Sequence, residues 1–165
     1  SLGEDFEKVK QYASSFITNV LAEIPNARIG IVDFADEIHT FPATNNKTAL
    51  INYIASLQQG PFTTLYESVN VGIDMLEDMD AEAKVLLVFT DGTDNNSDPE
   101  FTPTYILDRL NNTTSDVKIT SFTIGLEGKG GVDKPVLTEI QQLYCQCIQS
   151  DLCQKPAGCS GLRQT

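Results

Sequence analysis

The stretch VLLVFTDGTDN, residues 85–95, runs apolar and partly β-branched residues directly into an acidic, turn-forming end at Asp91-Gly92. This is the pattern of a buried strand that delivers a carboxylate to its own C-terminal end. A carboxylate placed there can act as nucleophile, metal ligand or turn former. Two other places offer oxygen donors in comparable positions. In GPFTTLYESVNVGI, residues 60–73, Thr63 and Thr64 stand in a loop just ahead of a helical pattern. At the very start, SLGEDF sets Ser1 before another helical pattern. Alone, each of these hydroxyls reads as a helix cap.

The nucleophile reading fails on one residue. FTDGT echoes the Asp-x-Asp-Gly-Thr box of haloacid-dehalogenase-type phosphotransferases, in which the first Asp is attacked. Phe89 occupies that position here, so no phosphoaspartate can form. No general base neighbours Asp91 in sequence, and the lone His39 falls in a predicted hairpin, where it reads as a surface strand residue. The expectation is a protein that is not an enzyme.

The elements that must position these donors alternate along the chain. GEDFEKVKQYASSFITNVLAEI (3–24) has helical spacing of apolar residues, and Pro25 follows where the pattern ends. RIGIVDFADEIHTFP (28–42) predicts an antiparallel hairpin turning near Ala35-Asp36. Helices are predicted over 47–58 and 64–79, a strand over 84–90, a helix over 104–110 and a strand over 118–126. A further helix over 132–143 and a short strand over 144–150 complete the series. Strands alternating with helices imply right-handed crossovers. The predicted fold is α/β: a three-layer, doubly wound, mostly parallel sheet with one antiparallel edge strand from the hairpin.

Taken in order, the three donor-bearing pieces resemble the metal-ion-dependent adhesion site of the von Willebrand factor A (integrin I-type) domain. That site is built from Asp-x-Ser-x-Ser ending the first strand, a Thr before a helix, and an Asp ending the fourth strand. By this resemblance SLGEDFEKVK continues the first motif with Ser1 as its final serine. The Thr-x-Leu spacing falls on Thr63, and VFTDGTDN supplies Asp91. The resemblance covers about residues 1–150, with 151–165 as a Cys-containing extension. The first motif's Asp and first Ser are not in this chain, nor is the first strand, which in this family lies in the middle of the sheet. The expectation is therefore that polypeptide continues upstream, or that another segment fills the gap. The resemblance implies a Rossmann-like fold and an adhesion or ligand-binding module. It implies Ser1, Thr63 and Asp91 as ligands of Mg²⁺ (or Mn²⁺ or Ca²⁺), and a protein ligand offering Glu or Asp to complete the coordination. One carboxylate with several hydroxyls is a hard oxygen site of low charge, which suits that chemistry. The alternative is a structural module of an extracellular filament or matrix, contacting neighbouring subunits without a working metal site.

Composition narrows the partners. Eleven Lys and Arg against 23 Asp and Glu give a net charge of −12, a surface that repels phosphate backbones and anionic lipid. No nucleic-acid partner is expected, and no apolar run is long enough to span a membrane. Cys145, Cys147, Cys153 and Cys159 cluster in the last 21 residues of the 165-residue chain. Their spacing matches no common structural zinc pattern, so disulfides are expected, with three connectivities open. Cys145 and Cys147 share a face of the predicted last strand, so each is expected to pair with Cys153 or Cys159. Four Asn-x-Ser/Thr sequons begin at Asn46, Asn95, Asn111 and Asn112. Together with the clustered cysteines they favour an extracellular or cell-surface glycoprotein.

Overall fold

The computed structural model describes residues 5–90 and 94–125. Ser1, Asp91, the four cysteines and the elements expected over 132–150 lie outside the described residues.

Helix α1 (Asp5–Glu23) leads into a hairpin of β1 (Ile29–Phe34) and β2 (Ile38–Thr44). The hairpin turns at 35–37, where Ala35 N–H donates to the Glu37 carbonyl at 3.1 Å. A register shift between Ile29 and Ile31 marks a bulge near the open end. Helix α2 (Lys47–Ser56) starts at Asn46, whose side-chain oxygen accepts from Ala49 N–H at 3.1 Å. Helix α3 (Leu65–Glu77) precedes β3 (Lys84–Thr90). Helix α4 (Pro103–Asn111) opens with proline at its first position, and Thr102 caps Tyr105 N–H at 3.1 Å. It leads to β4 (Ile119–Gly125), which pairs in parallel with β3 across the whole length of both strands.

Helix α3 organises the layers. The alternation of β1 sends Phe34 to a core of Leu65, Val69, Ile73, Val88, Ile106 and Ile119, which α3 shares with α4, β3 and β4. It sends Ile29 and Ile31 to a second core of Ile17, Leu50 and Ile54 under α1 and α2. Helices thus lie on both faces, α3 and α4 on one and α1 and α2 on the other. The arrangement is the predicted α/β fold, with an antiparallel hairpin and a parallel β3–β4 pair.

The two strand pairs are not hydrogen-bonded to each other among the described residues. Helix α3 packs on both β1 and β3 and fixes their directions. At its start, Thr64 N–H donates to the carbonyl of Ala35, just past the end of β1. At its end, the buried Lys84 that opens β3 donates to the Glu77 carbonyl at 3.3 Å. Both strands therefore run antiparallel to α3 and parallel to one another, with their carboxyl ends at the helix start. On the side away from α3, the β3–β4 pair leaves Val85, Phe122 and Ile124 between 41% and 53% exposed.

Candidate functional site

The carboxyl ends of β1 and β3 meet the start of α3, the location where open α/β sheets place their ligands. Three segments converge there: the β1–β2 turn, residues 63–67, and the loop from Asp94 to Asp98. Thr63 is pinned through its backbone. Its N–H donates to Asn95 Oδ1 at 2.8 Å, and its carbonyl accepts from Asn95 N–H at 3.0 Å. Its hydroxyl has no hydrogen-bond partner among the described residues.

Thr64 is the opposite case. It is 3% exposed, and its hydroxyl donates to the Ala35 carbonyl at 2.5 Å while accepting from Asn96 Nδ2 at 3.1 Å. It holds the N-cap position of α3 but makes no side-chain cap bond. The simple capping reading of this threonine pair is therefore corrected: neither hydroxyl caps the helix. The first-turn amides are met by the other loop instead. Tyr66 N–H donates to Asp94 Oδ2 at 2.8 Å, and Glu67 N–H donates to Ser97 Oγ at 3.1 Å. Asp98 N–H closes the ring on Glu67 Oε2 at 3.3 Å.

These loop residues are what sequence reasoning missed. By composition DNNSD (94–98) is a polar loop, and a run of Asx and Ser residues is the usual composition of segments that hydrogen-bond local and neighbouring backbone. Nothing in the sequence indicates that its target lies 28 to 32 residues away.

Of the three expected ligands, the structure places Thr63. Ser1 and Asp91 lie outside the described residues, so their convergence with it is an expectation. Among the described residues, no three His, Cys, Asp or Glu side chains group in a way that could hold a metal ion. The donor chemistry fits Mg²⁺ at Thr63, a hydroxyl on a rigid backbone without a competing partner and set at the ligand end of the fold. Ser1 and Asp91 would supply the other hydroxyl and the carboxylate.

The other predicted residues that are described, His39 and the four sequon asparagines, fall on the surface. His39 sits on β2 with its side chain 60% exposed, beside Asp33 and Glu37 at 3.5 Å each. The Tyr53 hydroxyl donates to Asp33. Burial, followed by the bond to Asp33 and its charge, pushes the Tyr53 phenol up to about 12. Asn46, Asn95, Asn111 and Asn112 are all exposed. Asn46 caps α2 through its oxygen, and Asn95 is bound to Thr63 through its oxygen.

No curated protein matches the chain. Among solved structures, an uncharacterised membrane-spanning protein from Vibrio fischeri is similar at 19% identity and a TM-score of 0.40, over 85% of this chain and 74% of that one. No helix among the described residues is long and apolar enough to cross a membrane. The model of the von Willebrand factor type A domain matches residues 1–148, and the chain belongs to that family.

Proposed function

We propose that this chain, by family a protein-interaction module, binds a partner carboxylate through a divalent cation held by Ser1, Thr63 and Asp91. Mg²⁺ is the expected ion, with Mn²⁺ and Ca²⁺ as substitutes of the same oxygen chemistry. The ion supplies positive charge and an open coordination position to a surface of net charge −12. An acidic partner would otherwise be repelled by that surface. The chain's own part is to hold the donors still. The observation that carries the reading is the state of Thr63, whose backbone is fixed at both polar atoms while its hydroxyl stays unengaged.

The proposed setting is extracellular, with oxidised cysteines and glycans at exposed sequons, and no catalytic role is proposed. Asn95 bears on the choice between adhesion and a structural module. It is exposed and hydrogen-bonded to Thr63, so a glycan on its nitrogen would crowd a partner approaching the cation. Occupancy there would favour the structural alternative, contacting neighbouring subunits.

The deciding experiment measures binding of a candidate acidic protein ligand with Mg²⁺ and with chelator, for the wild type and Asp91→Ala. The expected result is binding that chelator and the substitution both abolish, with the thermal unfolding midpoint nearly unchanged. Binding indifferent to chelator would remove the cation site.

A further inference from the structure

The cation reading creates an electrostatic difficulty at Thr63. This residue adjoins the start of α3, and the first turn of a helix carries roughly half a positive charge on its unpaired N–H groups. That field opposes a divalent cation on the adjoining hydroxyl. Thr64, in the cap position, offers nothing against it, because its hydroxyl is turned to the Ala35 carbonyl.

The compensating group comes from the β3–α4 loop. Asp94 Oδ2 accepts from Tyr66 N–H at 2.8 Å and from the Ser97 hydroxyl at 2.5 Å. Its Oδ1 accepts from the amides of Ser97 at 3.0 Å and Asn96 at 3.3 Å. Both oxygens are thus committed to N–H and O–H donors. The next residue, Asn95, grips Thr63 at both backbone polar atoms. One dipeptide therefore brings a negative charge to the helix start and fixes the threonine beside it.

We propose that Asp94 is the positioning residue that makes this helix start compatible with a cation. Its carboxylate caps α3 from another loop, offsets the helix field at Thr63 and does not itself coordinate the ion. The proposal rests on the cation reading of the site and adds to it the residue that tunes affinity.

The test separates charge from capping. Asp94→Asn keeps the shape and one acceptor oxygen, so it removes the charge together with the two hydrogen bonds accepted by the other oxygen, and Ser97→Ala supplies the control for lost hydrogen bonds. Mg²⁺ is titrated into the full chain while the amide resonances of Thr63 and Tyr66 are followed, and thermal unfolding is recorded in chelator. Asp94→Asn is expected to weaken Mg²⁺ binding by about tenfold, as loss of one nearby charge acting on a divalent ion would, with an unfolding midpoint lowered much as in Ser97→Ala. Ser97→Ala keeps the charge but removes a cap, and is expected to lower the midpoint while holding Mg²⁺ affinity within about twofold. Asp94→Ser gives the same charge comparison should the Asn variant not fold. Equal Mg²⁺ affinity in Asp94→Asn and wild type overturns the proposal and leaves the cation site standing. An equal loss in Ser97→Ala also overturns it, since looseness of the loop would then explain both. A wild type that shows no Mg²⁺ response overturns the cation site and this proposal together.

Discussion

Thr63 and Thr64 are adjacent and chemically identical, yet the fold gives them opposite tasks. The hydroxyl of Thr64 is buried between the Ala35 carbonyl and the Asn96 amide, so it ties the β1–β2 turn to the β3–α4 loop. Thr64→Ala should therefore cost about 0.5–1.5 kcal/mol for the two lost hydrogen bonds, since Asn96 keeps its bond to the Asp36 carbonyl and the Ala35 carbonyl keeps the Thr64 N–H. Thr63→Ala removes a hydroxyl without a partner among the described residues, and should shift stability by no more than about 0.5 kcal/mol while abolishing Mg²⁺-dependent binding. Thermal unfolding and a binding assay on both variants check the pair, and a Thr63→Ala protein that binds like the wild type would remove this threonine from the site. From the sequence, Thr63 is named by resemblance to the family's Thr-x-Leu motif. The reason Thr64 is excluded was not legible, because it depends on Ala35 and Asn96, which the fold alone brings together. The same limit applies to Asp94, whose capping role has no local signature at Tyr66.

At the level of elements, apolar periodicity located every helix and strand of the described residues, and the strand over 84–90 was placed without error. Apolar burial dictates both the pattern and the element, so the two agree. The join between α3 and α4 adds polar side chains to the apolar contact of Ile106 with α3. Arg109 donates to Asn70 Oδ1 and Asp74 Oδ1 at 2.7 Å each and to Glu77 Oε2 at 2.8 Å. Glu77 Oε1 takes the Thr113 hydroxyl at 2.8 Å and the Thr114 amide at 2.9 Å. Burial by itself would raise the Glu77 carboxyl, but these bonds and Arg109 outweigh it and hold the group below its ordinary range. A lowered folded value means stability that is present above the unfolded value of about 4.3 and lost as pH falls through the folded one. Glu77→Gln should thus cost about 1–3 kcal/mol near neutrality and progressively less below pH ~4, which acid titrations of both proteins would reveal. A constant difference across that range would remove the charge from the account. Packing on the other side of α3 has a tighter constraint. A methyl at Gly72 would lie 2.9 Å from Leu86 Cδ1, the end of a side chain that can turn aside, so Gly72→Ala should shift stability by no more than about 1 kcal/mol, the crowding offset by the gain in helix propensity.

Across the whole molecule, β1 contributes to both cores, and α3 packs on both β1 and β3. Ile73, fully buried midway along that helix, belongs to the core that receives Phe34 from β1 and Val88 and Ile119 from β3 and β4. Ile73→Ala should therefore cost about 2–5 kcal/mol through lost burial and a residual cavity. Its effect should reach the hairpin as well as the parallel pair. Two probes report on the halves independently: Tyr53, stacked on Phe41 at 4.7 Å between α2 and β2, and the amide exchange of β3 and β4. If α3 couples the halves, both probes should fall in one transition at the same lowered denaturant midpoint. Separate midpoints, with the Tyr53 signal unmoved, would show the hairpin half to be independent of α3. The outcome bears on function, because the candidate site draws Thr63 from α3's start and its supports from the loops after β1 and β3. With coupled halves, Mg²⁺ binding that depends on this geometry should raise the single midpoint in proportion to RT ln(1 + [Mg²⁺]/Kd). With independent halves, the same ion should stabilise the β3–β4 signal and leave the Tyr53 signal where it was.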